Sequence, residues 1–401
     1  MRKGLVRPGR RVAASDAAPP ARHARGTGRS VGVRSVPPRW RWHISSVPAQ
    51  WRGRITRLAG RASLAVLLAA VPLIAIPVAE TTFASTAPPP PAGWSAAFSE
   101  SFAGPAGAGP GPAWTYDTGD QYQGTACQAQ WATGEVETDT NSPANVSQDG
   151  NGHLRITPVD LNGAWTSGRL ETVQEFAPPA GGMMDVSASI TQPNPANGLG
   201  YWAAFWMLGA GYRASGAGTS GTMNCGSWPT VGEINIMEDV NGASQVSGTL
   251  HCGTTPGGPC NEGYGITSGL KPCPGCQTGA NTYSLIIDRT NPGNESITWY
   301  LNGNAYFTVN ESQVGAAAWQ AAVDHGFFLI LQVGIGGNFP NGACSCTTPG
   351  GQTTPGAAMS IGYVAVYTQG GTGTTAAAGS AMAASSPGRW RPPAWSSAAS
   401  P

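Results

Sequence analysis

Through the middle of this chain, apolar residues recur at every second position in short runs, and glycine, asparagine and proline break the runs at close intervals. Period two is the pattern of a strand with one face on a core and the other on solvent. Gly182-Met-Met-Asp-Val-Ser-Ala-Ser-Ile190, Thr282-Tyr-Ser-Leu-Ile-Ile-Asp288 and Ser296-Ile-Thr-Trp-Tyr-Leu301 read this way. Asn302-Gly303, directly after the last of these, predicts a tight hairpin turn. Helical periodicity is scarce, and Val314–Val323 is its main candidate. The pattern predicts an all-β sandwich, and a body of about 280 residues is long enough for one substantial core.

One strand-like run carries chemistry. In Val231-Gly-Glu-Ile-Asn-Ile-Met-Glu-Asp239, Ile234 and Ile236 give one face an apolar character, while Glu233 and Asn235 share the other. Glu238 is out of phase by one residue. A one-residue bulge near Met237 would return it to the Glu233 face, and bulges are over-represented beside active sites. Four effective strand steps separate the two backbones by about 13 Å. If both side chains lean inward, a gap of about 5–7 Å remains, which brackets the carboxylate spacing of configuration-retaining glycoside hydrolysis. Asp239 should point to the other side and be structural. Upstream, Gly198-Leu-Gly-Tyr-Trp-Ala-Ala-Phe-Trp-Met-Leu208 supplies aromatic residues in a strand-like run; downstream, Ser247-Gly-Thr-Leu-His251 ends a second strand on an imidazole.

These segments together resemble glycoside hydrolase family 16, in its laminarinase-like branch of endo-β-1,3(4)-glucanases. Glu233-Ile-Asn-Ile-Met-Glu238 is similar to the family pattern Glu-x-Asp-x-x-Glu. Tyr201–Leu208 resembles the tryptophan-rich strand before it, and Gly248–His251 the histidine strand after it. The likeness continues in order through Thr166–Arg169, Ile297–Gly303, Leu329–Pro340 and Ile361–Tyr367, over roughly residues 92–369. It implies a two-sheet jelly roll whose concave sheet forms an open substrate cleft. It also implies Glu233 as nucleophile and Glu238 as general acid/base, with Trp202 and Trp206 stacking on glucosyl rings. Arg169, His251 and Asn338 become candidate hydrogen-bond donors to sugar hydroxyls. Each has a plainer alternative: Trp206 as core, His251 as a structural histidine, Arg169 as an ion pair with Glu171 or Glu175.

One position departs from the family pattern. Asn235 stands where the family has Asp, so the nucleophile keeps a polar neighbour that can donate a hydrogen bond but cannot ionise. The missing charge should lower the pKa of Glu238. The chemistry needs no catalytic cofactor or metal, and the resemblance leaves open a structural calcium. Sandwiches of this shape also serve as lectins, so a non-catalytic glycan-binding protein and a β-glucan transglycosylase remain alternatives.

Charge divides the chain. Residues 1–61 hold 15 of the 22 basic residues against one acid, while the rest carries 7 basic and 20 acidic residues. The acidic body has no basic patch, which argues against nucleic acid; the family resemblance implies β-glucan as the partner, and a monomer is expected. The organisation reads as a basic leader over 1–61, an apolar signal segment over 62–87 and a proline-rich spacer over 88–92. A single domain follows over 93–369, with a low-complexity tail over 370–401. Secretion is expected, the alternative being a membrane anchor through 62–79. All eight cysteines lie in the body, an even count that favours disulfides. Cys273-Pro-Gly-Cys276 with Cys344-Ser-Cys346 is the rival reading as a zinc site. Asn145, Asn294 and Asn310 begin glycosylation-type triplets.

Overall fold

The computed structural model describes residues 86–371. The expected leader, most of the signal segment, the membrane-anchor alternative over 62–79 and nearly all of the tail lie outside the described residues. Among those described, no helix is long and apolar enough to cross a membrane.

Two eight-stranded antiparallel sheets enclose one core, giving the two-sheet jelly-roll sandwich expected from the alternation. One sheet runs in the order Asn304–Asn310, Ser296–Leu301, Asn281–Asp288, Gly182–Thr191, Met359–Gly370, Leu154–Ile156 and Val146–Gln148. The strand Trp94–Glu100 also pairs with Met359–Gly370. The second sheet runs Ile266–Thr267, Gln245–His251, Glu233–Val240, Tyr201–Gly209, Phe327–Ile335, Arg169–Thr172 and Trp114–Asp117. The strand Lys271–Pro272 joins it through Gln245–His251.

Alternation decides which side chains meet between the sheets. From the Tyr201–Gly209 strand, Ala203, Phe205 and Met207 go into the core; from Glu233–Val240, Ile234 does, and from Gln245–His251, Val246 and Leu250. Val186, Leu285, Ile287, Ile297, Trp299 and Val364 meet them from the other sheet. Each fully buried aliphatic side chain contributes about 1.5–3 kcal/mol relative to exposure. The opposite face of the second sheet is thereby free to carry polar and aromatic groups, and that face bears the groove.

Local signals hold with some differences. Asn302 and Gly303 turn the hairpin between Ser296–Leu301 and Asn304–Asn310 with φ of 50° and 75°, the left-handed pair that a two-residue turn requires. The helix expected over Val314–Val323 is instead two short helices, Glu311–Val314 and Ala316–Val323. Gly315 separates them at φ 87°, a conformation no continuous helix tolerates. A further helix, Asn338–Cys344, follows the Phe327–Ile335 strand, where the sequence shows no helical periodicity.

All eight cysteines form disulfides: Cys127–Cys225, Cys252–Cys260, Cys273–Cys276 and Cys344–Cys346. The zinc alternative is set aside, because its two cysteine pairs each close on themselves. Asn145 is not an open glycosylation acceptor either. It is 3% exposed, and its amide donates to the Thr157 carbonyl and the Thr166 hydroxyl.

Candidate active site

The bulge expected near Met237 is present. Against the Tyr201–Gly209 strand, Asn235 pairs with Trp206 and Met237 with Phe205, so Ile236 has no opposite number. Against Gln245–His251, Asn235 pairs with Thr249 and Glu238 with Ser247, again one residue in excess. Ile236 and Met237 are both buried. The extra residue puts Glu233, Asn235 and Glu238 together on the wall of one groove of about 1050 Å3.

The other sheet secures this irregularity. A bulge disrupts the local ladder, and the fully buried indole of Trp299 donates to the Asn235 carbonyl at 2.7 Å. Gly248 lies opposite the bulge on the histidine strand. A Cβ there would sit 2.6 Å from the Trp299 indole nitrogen, so only glycine lets the indole reach through.

The two glutamates sit in unlike surroundings. Glu233 is half-buried at the start of its strand; the Trp228 indole donates to its Oε2 at 3.0 Å, and His251 Nε2 stands 3.8 Å from its Oε1. His251 Nδ1 is 2.8 Å from Glu262 Oε2, and the Cys252 backbone N–H donates to Glu262 Oε1 at 2.8 Å. Burial opposes a charge on His251, but the Glu262 hydrogen bond and the charges of Glu233 and Glu262 push its pKa up to about 9. The imidazole is therefore a cation at neutral pH, facing the Glu233 carboxylate.

Glu238 is only 4% exposed, although it lines the groove. Burial pushes its pKa up to about 7; the hydrogen bond from the Trp202 indole, the His251 charge and the Asn235 amide act against this, and the Glu233 charge acts with it. Trp202 Nε1 donates to Glu238 Oε1 at 3.0 Å, and the indole meets Phe339 edge to face at 5.7 Å. Trp202, expected as a stacking platform, thus has its polar edge on the acid. Asn235, expected beside Glu233, has its amide working on Glu238. Asp239 faces away and accepts from the Gln245 backbone at 3.0 Å, closing the turn between the two strands.

Arg169 lies in the groove floor and is 4% exposed. The alternative reading, an ion pair with Glu171 or Glu175, is corrected in its partner: the guanidinium pairs with Asp117 at 3.1 Å, and Arg213 takes both of those glutamates. The cause is strand register, since Asp117 is directly opposite Arg169 across the sheet. Arg169 also donates to Gln332 Oε1 at 2.9 Å and to the Tyr122 hydroxyl at 3.2 Å. Its plane stacks over Trp206 at 4.8 Å and Trp131 at 4.4 Å. Trp206 is half-buried, with the Arg169 cation over its ring, and it packs against Leu208, Phe328 and Ile330. Asn338, at the start of its helix, is exposed at the groove rim.

No protein-family model matches the chain. The crystal structure of an endo-1,3-β-glucanase from Streptomyces sioyaensis is 47% identical, with a TM-score of 0.65 over 71% of this chain and 99% of that one. The chain belongs to glycoside hydrolase family 16, in its laminarinase-like branch. Among curated proteins, glucan endo-1,3-beta-glucosidase A1 of Niallia circulans is 31% identical over 271 residues, 63% of this chain and 35% of that protein. Keratan-sulfate endo-1,4-beta-galactosidase of Sphingobacterium multivorum is 28% identical, over 57% of this chain and 47% of that protein. The chain thus spans less than half the length of these two curated relatives.

In this family 16 domain the structure adds residues that sequence reasoning did not reach. Trp228, which donates to Glu233, and Glu262, which holds His251, both act from loops, where no periodicity marks them. The Cys252–Cys260 disulfide was the available signal, because it fixes the loop that returns Glu262 to His251. Tyr122, Trp131 and Gln332 build the floor around Arg169. For the calcium left open by the resemblance, no group of three or more His, Cys, Asp or Glu side chains among the described residues is set to hold a metal ion.

Proposed function

We propose that this chain is an endo-acting glycosidase that hydrolyses β-1,3-glucan, or mixed β-1,3/1,4-glucan, with retention of configuration. Glu233 is the nucleophile and Glu238 the general acid/base. Glu238 gives its proton to the glycosidic oxygen as the Glu233 carboxylate attacks the anomeric carbon, forming a glycosyl ester. Glu238 then takes a proton from water, and that water displaces Glu233 with a second inversion.

The observation that carries this reading is the asymmetry of the pair. A general acid must hold its proton at working pH, and Glu238 is pushed up to about 7 by burial. A nucleophile must be ionised, and Glu233 has an indole N–H and an imidazolium beside it. Trp202 and Asn235 orient the acid. Arg169 braces Trp206 for contact with a sugar face, and Asn338 is free to meet hydroxyls. The glucan preference is supported by the likeness to the Streptomyces sioyaensis endo-1,3-β-glucanase, which is 47% identical over nearly its whole chain. Export is supported by four disulfides, which persist in oxidising compartments.

The test is reducing-sugar release from soluble β-1,3-glucan, with the new anomeric centre followed by NMR. Release with the β-anomer appearing first supports double displacement, whereas the α-anomer first means single displacement. Binding without release means a glycan-binding protein. Products longer than the donor mean a transglycosylase.

A further inference from the structure

Tyr264 is an exposed large side chain in the groove that nothing in the proposed chemistry uses. It is 79% exposed and lines the same groove as the two glutamates. A free loop tip would give such exposure no meaning, but this loop is fixed at several points. The Cys252–Cys260 disulfide closes its base. Glu262, 4% exposed, accepts from the Cys252 backbone and contacts His251 Nδ1, both at 2.8 Å. The Tyr264 N–H donates to the Asn261 carbonyl at 3.1 Å. Gly265 follows at φ 72°, where a Cβ would sit 2.5 Å from Thr249 Cγ2 and 3.0 Å from His251 Cε1. The backbone after the tyrosine therefore presses directly on the histidine strand, and the phenol stands at the groove edge on the His251 side.

From this geometry we propose that Tyr264 is a stacking platform for a glucosyl unit of the substrate, bound outside the two units that flank the cleaved bond. The inference rests on the glycosidase reading and extends it with a binding position. An aromatic face open to solvent on a loop with a fixed backbone suits the C–H face of a pyranose ring: it offers apolar area, and only the side chain remains to be ordered on binding. The same loop thus carries two groups in opposite directions, Glu262 inward to His251 and Tyr264 outward to substrate.

The experiment compares the full chain with Tyr264→Ala and Tyr264→Phe on soluble β-1,3-glucan and on the shortest β-1,3-oligosaccharide that the wild type cleaves. Tyr264→Ala is expected to raise KM on the polymer by about 3- to 10-fold with kcat within about twofold. It should leave the shortest substrate little changed, and Tyr264→Phe should restore the wild-type KM. An unchanged polymer KM in Tyr264→Ala would overturn the proposal, as would a phenylalanine variant as weak as alanine. A fall in kcat with a displaced pH profile would also overturn it, because the tyrosine would then act through the loop on His251. A wild type that releases no sugar from any β-glucan would instead overturn the glycosidase reading, a result distinct from these.

Discussion

Two acidic regions lie along the same groove, and they use their carboxylates in opposite ways. Around the bulge, Glu233 and Glu238 reach the groove wall with His251 as their cation and Glu262 behind it. Beneath the other end, Asp117, Glu135, Glu137, Asp139 and Glu171 are each 3% exposed or less, with Arg169 and Arg213 as their cations. Burial and crowding by neighbouring carboxylates push Asp117 up to about 7, and Glu137 and Asp139 well above the ordinary range. Raised proton affinity therefore does not by itself mark a catalytic acid. What distinguishes Glu238 is that its burial coincides with access to the groove and with an ionisable partner on the same wall.

The sharpest way to break this comparison is to remove the charges one region at a time. Glu233→Gln should lower kcat by about 10^4-fold or more, and Glu238→Gln by about 10^2- to 10^4-fold, both measured as sugar release. Glu238→Gln should at the same time be more stable than wild type at alkaline pH. The folded-state pKa of Glu238 is raised, so the stability it carries in its protonated form is fully present below the ordinary carboxylate range and is lost as pH rises through about 7. The glutamine side chain escapes that loss, so its advantage should grow between about pH 4.5 and 7 to about 1–3 kcal/mol and then level off. Denaturant melts across that range measure it.

In the buried region the outcome should reverse. Arg169→Met leaves Asp117 without its cation and should cost about 3–5 kcal/mol in stability, read as a lower unfolding midpoint, with activity lost only alongside folding or the bracing of Trp206. A catalytic signature without a fall in stability would mean that Arg169 acts on substrate alone.

Two smaller changes sharpen the picture of the bulge. Trp299→Phe keeps an aromatic ring, though a smaller one, and takes from the buried Asn235 carbonyl its indole donor, a loss of about 1–3 kcal/mol for the hydrogen bond. If that bond fixes the register, kcat should fall while KM changes little. Asn235→Asp adds a negative charge beside Glu238, so its pKa should rise and the alkaline limb of the pH–rate profile should move up by about one unit or less. Identical profiles would remove Asn235 from any part in tuning the acid.

Much of the bulge region could be read from the chain in advance, because it depends on phase. Glu233 and Glu238 are five apart on an alternating strand, and only an extra residue can put them on one face. The sheet in fact inserts Ile236. The Asn302-Gly303 turn was readable for the same local reason. The alternative ion pair of Arg169 was given the wrong partner, because Asp117 is 52 positions away and is fixed by strand pairing, whereas Glu171 and Glu175 are merely near in sequence. Trp228 and Glu262 were missed because loops carry no period. Gly315 split the expected helix because apolar spacing alone does not register a backbone that must turn at positive φ.

The most direct measurement is peptide mapping by mass spectrometry after incubation with an activated 2-deoxy-2-fluoro glucoside, which slows breakdown of a glycosyl ester. Double displacement through this pair predicts one added glycosyl group, carried on Glu233. A label on Glu238 or on another residue, or turnover with no label at all, would contradict it.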